Sequence, residues 1–188
     1  MAHQQEIQPI LPWLSSNTAE PKKQLLPLRE ILVLGGTHGE EEPGIKLVRS
    51  LRRDKILGVE GMIASPAAVR NCRRCYEENL ALSYPGTWWD GTYESDIANR
   101  IIRVCYGYDL VVDVHSCETT GGHYAIVGEQ TSELVLKAIA FMGIRRLLVL
   151  AGRPFPYTIT ASIRSFPVIV KWCTNRMCYG RFGSPKYS

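Results

Sequence analysis

The stretch EILVLGGTHGEEEPGIKLV (residues 30–48) decides the fold, because its pattern changes from strand-like to helix-like within a few residues. The run EILVL has the aliphatic and β-branched side chains of a buried strand, and the glycines after it favour a tight turn. Pro43 suits the first turn of a helix, and apolar residues then recur at helical spacing as far as Leu51. The pattern predicts a strand at 30–34, a polar loop and an amphipathic helix.

The rest of the chain alternates between the same two patterns. Further strands are predicted at 61–64, 110–114, 124–127, 146–150 and 168–171, and helices at 95–106 and 131–142, whereas residues 72–85 are expected to be irregular. This alternation predicts an α/β fold with a mostly parallel or mixed central sheet flanked by helices. Ligands of such sheets bind beyond the carboxyl ends of the strands, so the candidate site follows EILVL and LVVDV.

Length and composition indicate one globular domain. The chain has 188 residues, and we divide it into a loosely ordered lead-in (1–28), an α/β domain (29–175) and a C-terminal tail (176–188). The net charge of +4 is spread along the chain without a basic stripe, which argues against nucleic-acid binding. No apolar run approaches the roughly 20 residues that cross a bilayer, and the N-terminus does not resemble a signal peptide.

Six cysteines are present, and an even count could suggest disulfides, but the chain is long and no secretion signal is visible in it. We expect reduced thiols and a cytoplasmic location. Cys72 and Cys75 form a lone C-x-x-C, which lacks the second pair that a structural zinc site needs.

The first chemical signal is His38-x-x-Glu41 in the loop after the first strand. A glutamate at the start of a helix can share a point with a histidine one turn earlier. Gly35, Gly36 and Gly39 permit the tight backbone path this requires. Alone, the motif is weak, because a histidine and a glutamate often occur together in a polar loop by chance.

The second signal is Asp113-Val114-His115 at the end of the strand LVVDV. Alternation along a strand points Asp113 and His115 to the same side. Asp113 follows three apolar residues, so it should be buried and should need a partner. Two neighbouring strands that each end in a histidine place His38, Glu41 and His115 at one edge of the sheet. This is a two-histidine, one-carboxylate set, which catalytic zinc uses with a fourth position open for water. Asp113 is the candidate carboxylate supporting a ligand.

Four ordered segments carry a family resemblance. GGTHGEEEPG (35–44) resembles the GGTHGNE-x-x-G signature of the aspartoacylase and succinylglutamate desuccinylase family, relatives of the zinc carboxypeptidases. Three later segments are similar to family segments in the same order: SPAAVRNCRRCYEENLALSYPG (65–86), YDLVVDVHSCETTGG (108–122) and YTITASIRSFPVIVKW (157–172). The resemblance implies a zinc carboxypeptidase-like fold and hydrolysis of the amide bond of an N-acyl amino acid by a zinc-activated water.

The resemblance also implies residue roles. His38, Glu41 and His115 match the ligands of one Zn²⁺ per chain. Arg74 matches an arginine of the substrate and transition-state region, and Tyr157 matches a tyrosine of the substrate pocket. Asn79 is a substrate-binding candidate through a shifted register.

Several positions depart from the family pattern. The family's Asn-Arg pair falls on Ala81 and Leu82, and a further substrate arginine falls on Ala161, so the substrate should differ from N-acetylaspartate. The general-base glutamate falls on Lys171, whose ammonium cannot act as a base unless its pKa drops far. The sequence ends in FGSPKYS, and we expect it to lack the family's C-terminal β domain.

Two functions follow from this pattern. The first is a zinc-dependent amidohydrolase or deacylase that cleaves the amide, or an ester, of an N-acyl amino acid. The second is a catalytically impaired relative that binds zinc or a ligand, because Lys171 replaces the base. A small carboxylate is the expected partner, without nucleic acid or membrane, and a homo-oligomer is left open.

Overall fold

Strands and helices alternate along the chain in a computed structural model, which describes residues 8–9, 30–87, 89, 91–117, 123–128, 131–150 and 168–175. The strands are β1 (Gln8–Pro9), β2 (Ile31–Gly35), β3 (Val59–Ile63), β4 (Leu110–Cys117), β5 (Tyr124–Gly128), β6 (Arg146–Leu150) and β7 (Val168–Asn175). The helices are α1 (Glu42–Asp54), α2 (Pro66–Arg70), α3 (Leu80–Ser83), α4 (Tyr93–Cys105) and α5 (Glu133–Phe141). None of the helices in these ranges is long and apolar enough to span a bilayer.

The strands form one mixed sheet in the order β1-β6-β5-β7-β4-β2-β3. Strand β2 pairs in parallel with β3 and β4, β4 pairs in parallel with β7, and β5 pairs in parallel with β6. Strand β7 is antiparallel to β5, and β1 is antiparallel to β6. The predicted α/β architecture is confirmed, and β2 and β4 are neighbours, as the candidate site requires.

Apolar side chains cover both faces of the sheet. On one face Val33 and Val112 pack with Val48 of α1 and Ile139 of α5. On the other face Leu32, Leu34 and Val111 pack with α3 and α4, whose buried residues include Leu80, Ala98, Ile101 and Cys105. Alternate residues of β2 and β4 therefore enter opposite cores, as the period of a strand requires.

Two short helices were not predicted. Helix α2 has five residues and α3 has four, too few to show a periodic pattern. Helix α3 lies within 72–85, a segment predicted to be irregular. The Asn79 side chain accepts the Ala81 N–H at 3.0 Å and so caps α3.

Several boundaries differ from the prediction by a few residues. Strand β4 continues past Val114 to Cys117, and β7 continues to Asn175, because the two strands pair in register over that whole length. Helix α5 begins after Ser132, which makes no side-chain cap hydrogen bond. Most of the predicted lead-in and all of the tail lie outside the described residues, so the domain division stays a prediction.

Candidate metal centre

The loop after β2 carries two of the predicted ligands, His38 and Glu41. Gly36 has φ of +73°, a left-handed conformation that favours glycine. A Cβ on Gly35 would lie 2.3 Å from the carbonyl oxygen of Gly44, so β2 and α1 approach each other through glycine. The Glu41 N–H donates to the His38 carbonyl oxygen at 3.1 Å, which closes the turn. This backbone path places His38 and Glu41 next to each other where α1 begins.

Strand β4 carries the third predicted ligand, His115, together with Asp113. Both are buried, and His115 Nε2 lies 2.7 Å from Asp113 Oδ2. The second Asp113 oxygen accepts a hydrogen bond from Thr37 Oγ1 at 2.8 Å. The prediction that Asp113 is buried and partnered on the same face as His115 is confirmed. Thr37 additionally ties this carboxylate to the β2 loop.

The two histidines meet at the carboxylate of Glu41. His38 Nδ1 lies 2.6 Å from Oε1, and His115 Nδ1 lies 3.0 Å from Oε2. The Ser116 N–H donates to Oε2 at 3.1 Å, which orients the carboxylate from the β4 side. The side chains of His38, Glu41 and His115 are each no more than 6% exposed. The structure therefore brings all three predicted ligands into one buried cluster.

Each imidazole faces an oxygen at both of its nitrogens. Besides Glu41, His38 Nε2 faces Asn79 Oδ1 at 3.0 Å, and His115 Nε2 faces Asp113 Oδ2. A neutral imidazole has one N–H and one lone pair, so it can donate to only one of its two oxygens. If the Nε2 atoms donate to Asn79 and Asp113, both Nδ1 lone pairs face the Glu41 carboxylate. Lone pairs repel a carboxylate, so this arrangement needs positive charge between the Nδ1 atoms and Glu41. Either a second proton on each ring or a bound metal ion supplies it.

The electrostatics of Glu41 agree with a cationic neighbourhood. Burial by itself raises the pKa of this carboxyl group. The hydrogen bonds from His115 and His38 and the charges of both rings outweigh burial and lower the pKa to about 2. Glu41 therefore remains a carboxylate, which is the form that binds a metal.

The donor set fits a divalent metal. One ligand atom from each of His38, Glu41 and His115 can be chosen so that all lie within 4.8 Å of one another. Two imidazoles and one carboxylate are the donors of many catalytic zinc sites. Hydrogen bonds from the outer ring nitrogens to an oxygen are also the usual support for histidine ligands.

Arg74 and Asn79 lie on either side of a turn close to the ligand loop. The Arg74 side chain is 58% exposed, and its Nη1 lies 3.3 Å from Glu40 Oε1. The backbone oxygen of Arg74 accepts the Gly39 N–H at 3.4 Å. Asn79 contacts His38 directly, as described above. The substrate roles of Arg74 and Asn79 stay predictions.

Of the remaining predicted site positions, Lys171 and Leu82 lie within the described residues. Lys171 lies in β7, where its backbone pairs with Asp113 of β4, so it occupies a strand position beside the ligand strand. Tyr157 and Ala161 lie outside the described residues. Leu82 is described, and 58% of it is exposed.

Two residues of the site region were not predicted from the sequence. Thr37 holds Asp113, and its place one residue before His38 in the loop was the only available signal. Glu94 is fully buried at the start of α4 and accepts backbone hydrogen bonds from residues 76–78. An acidic residue in the first turn of a helix is common, so its sequence position carried no specific signal.

Four further residues of metal-binding type in the described part of the chain, Glu42, His123, Cys72 and Cys75, do not belong to this cluster. Glu42 pairs with Lys46 at 2.7 Å on the surface of α1. His123 is exposed. Cys72 and Cys75 are free thiols, and neither belongs to a metal-binding group among the described residues.

Comparisons with known proteins show the family and the fold of this chain. A model of the succinylglutamate desuccinylase/aspartoacylase catalytic domain matches residues 27–152, about two thirds of the chain. The N-acyl-aromatic-L-amino acid amidohydrolase (carboxylate-forming) of Homo sapiens is 29% identical in an alignment 115 residues long, which covers 51% of this chain and 36% of that protein. The chain thus spans about a third of the length of the curated relatives it matches.

Solved structures share the fold. Murine aminoacylase 3 superposes with a TM-score of 0.64 at 19% identity, over 84% of this chain and 59% of that one. Succinylglutamate desuccinylase of Vibrio parahaemolyticus gives 0.65 at 17% identity, over 84% and 61%. The matched domain contains His38, Glu41 and His115. The chain belongs to the succinylglutamate desuccinylase/aspartoacylase family.

Proposed function

We propose that this chain is the catalytic domain of a zinc-dependent amidohydrolase that acts on an N-acyl amino acid. The observation that carries the proposal is the convergence of His38 Nδ1 and His115 Nδ1 on the two oxygens of Glu41. Because both outer nitrogens face fixed oxygens, the cluster matches a ligand set better than an isolated ion pair. The name of the human relative, an N-acyl-aromatic-L-amino acid amidohydrolase, supports the substrate class.

A zinc ion held by His38, Glu41 and His115 would supply an acidified water at neutral pH. The protein groups around it have separate tasks. Asp113 accepts a hydrogen bond from the Nε2–H of His115 and so selects the tautomer whose Nδ1 lone pair is free to bind the metal. Thr37 and Ser116 hold Asp113 and Glu41, respectively, so that neither carboxylate rotates.

Arg74 is the proposed anchor for the substrate carboxylate. Its guanidinium contacts Glu40, and both side chains are substantially exposed, so this weak surface pair can exchange for a substrate carboxylate. Leu82 and Ala161 replace the arginines that the family resemblance leads us to expect. We therefore propose a substrate with one carboxylate and an apolar side chain rather than N-acetylaspartate. Asn79 and Tyr157 are the remaining proposed substrate contacts.

A second candidate function rests on Lys171. Lys171 lies beside Asp113 in the sheet, and the family resemblance puts it at the general-base position. A lysine ammonium near a bound cation is repelled and has no lone pair to accept a proton. The alternative is a catalytically impaired family member that binds zinc or a ligand. Glu40, Glu42, Glu77 and Glu118 are the acidic residues that would have to replace the base in an active enzyme.

Metal analysis is the first test. We expect purified protein, refolded with zinc if necessary, to contain one zinc ion per chain. His38→Ala should lose the metal, whereas the exposed His123→Ala should keep it. Trace zinc in the refolded wild type would overturn both zinc proposals.

A substrate screen then separates the two candidate functions. Wild type, Lys171→Glu and His38→Ala are assayed with N-acetylphenylalanine, N-acetylleucine and N-acetylaspartate. Wild-type activity that disappears in His38→Ala supports the enzyme, and preference for the apolar substrates supports the proposed specificity. Activity only in Lys171→Glu supports the impaired relative. A cytoplasmic location stays a prediction.

A further inference from the structure

Glu94 is a buried carboxylate outside the ligand set. It lies in the first turn of α4 and has no exposed surface. Burying a carboxylate is costly unless its oxygens accept hydrogen bonds. Oε1 accepts the Tyr76 N–H at 2.8 Å, and Oε2 accepts the N–H groups of Glu77 at 3.1 Å and Glu78 at 3.2 Å. One side chain thus satisfies three consecutive backbone amides of a turn.

The turn holds the helix in return. Glu77 Oε2 accepts the Tyr93 N–H at 2.6 Å, and Thr92 caps α4 by accepting the Ser95 N–H at 3.2 Å. The Tyr76 and Tyr93 rings pack edge to face, with centroids 5.2 Å apart. The positive end of the α4 dipole also favours a carboxylate in the first turn. Residues 76–78 and the start of α4 are therefore fastened together from both sides.

The hydrogen bonds to Glu94 extend along the chain as far as Glu78, and the next residue contacts His38, a proposed metal ligand. Asn79 follows Glu78, and its Oδ1 faces His38 Nε2 at 3.0 Å and accepts the Ala81 N–H at 3.0 Å. At the other end of the same segment, the backbone carbonyl oxygen of Arg74 accepts a hydrogen bond from the Gly39 N–H. The position of the Asn79 side chain therefore depends on the backbone that Glu94 holds.

We propose that Glu94 is a positioning residue for the metal centre, acting through residues 76–78 and Asn79 on the orientation and tautomer of His38. This inference rests on the proposed metal function. A purely architectural role would change the stability of the fold but leave the ring state of His38 and the metal affinity unchanged. A positioning role changes all three.

The test compares Glu94→Gln with Asp96→Asn. Both replace a carboxylate by an amide in the first turn of α4, but Asp96 is partly exposed and pairs only distantly with Arg100, at 3.9 Å. In Glu94→Gln the side-chain NH₂ would face backbone N–H donors, so the turn loses one acceptor. Zinc affinity is measured by competition with a chelator. The protonated nitrogen of each histidine is identified by long-range ¹H–¹⁵N NMR of the metal-free and zinc-loaded protein.

For Glu94→Gln we expect the zinc Kd to rise about 10-fold, in the range found for outer residues of metal sites. The His38 Nε2–H signature should weaken while that of His115 persists, and Asp96→Asn should match wild type. Combined with Asn79→Ala, Glu94→Gln should add little further loss, because both changes act on the same contact.

Unchanged zinc affinity and an unchanged His38 signature in folded Glu94→Gln would overturn the proposal. If that variant does not fold, Glu94→Asp is measured in its place, because its shorter side chain withdraws the carboxylate by one methylene. Unchanged zinc affinity and an unchanged His38 signature in Glu94→Asp would likewise overturn the proposal. If wild type binds no zinc, the proposed function fails. The His38 signature of the metal-free variants then still tests whether Glu94 positions that ring.

Discussion

His38 and His115 face the same carboxylate but are supported differently. His115 lies in β4, between β2 and β7 in the sheet, and its outer nitrogen faces the charged carboxylate of Asp113. His38 lies in a loop, and its outer nitrogen faces the neutral amide oxygen of Asn79. A carboxylate partner raises the basicity of a histidine ligand more than an amide does. The comparison predicts that the proposed ligand on the sheet binds a metal more strongly, and that the geometry of the proposed ligand in the loop depends on residues 74–79.

We expect the largest effect from replacing Glu41, because both histidines face its carboxylate. Glu41→Gln leaves an amide between two ring nitrogens and takes away a proposed metal ligand. We expect zinc affinity to fall by more than about 100-fold. Substitution of residues that only support metal ligands already lowers metal affinity by up to about 100-fold, and loss of a ligand should cost more. The measurement is a chelator competition titration, with Glu42→Gln, on the surface of α1, as the matched control. Stoichiometric zinc in Glu41→Gln would show that the histidines bind metal without this carboxylate.

Acid should weaken the metal-free protein through the same residue. The pKa of Glu41 is lowered from 4.5 to about 2, so its contribution to stability is complete above about pH 4.5 and is lost as the pH falls towards 2. A shift of that size corresponds to roughly 3 kcal/mol of unfolding free energy. Urea unfolding with a chelator present, from about pH 6 to about pH 3, measures the part of this loss that falls above about pH 3, which is roughly 2 kcal/mol. Equal pH dependence in wild type and Glu41→Gln would contradict this prediction.

Asp113→Asn would make the support of His115 resemble that of His38. An amide oxygen can still accept from His115, and the amide NH₂ can donate to Thr37, so the hydrogen bonds survive while the charge disappears. We expect zinc affinity to fall by about 10- to 100-fold with the fold retained. Zinc titration together with thermal unfolding measures both. An unchanged zinc Kd would mean that the charge of Asp113 does not distinguish the two histidines.

Asn79→Asp would produce the opposite change on the His38 side. A carboxylate at this position should raise the basicity of His38 and tighten zinc binding by up to about 10-fold. Asn79→Ala, which removes the acceptor altogether, should weaken binding instead. Weaker binding in both variants would indicate that the cap on α3, rather than the charge facing His38, dominates the role of Asn79.

Local patterns predicted a large part of the fold and of the site. The aliphatic runs at β2 and β4 and the helical spacing after Pro43 were sufficient to place an α/β sheet and its ligand-bearing edge. The alternation along LVVDVHS predicted that Asp113 and His115 share a face, and the structure confirms it. The short helices α2 and α3 could not be predicted, because neither is long enough to show a period.

The sequence by itself determined which donors stand at the ends of two neighbouring strands, His38 and Glu41 on one and His115 on the other. This was possible because strand and helix periodicity are local properties of the chain. Only the tertiary structure decided which residues support those donors through hydrogen bonds. Asn79 reaches His38 across 41 positions, and Glu94 reaches the turn at 76–78 across 16 to 18. Such partners depend on how the chain returns to the site, and no local pattern records that path.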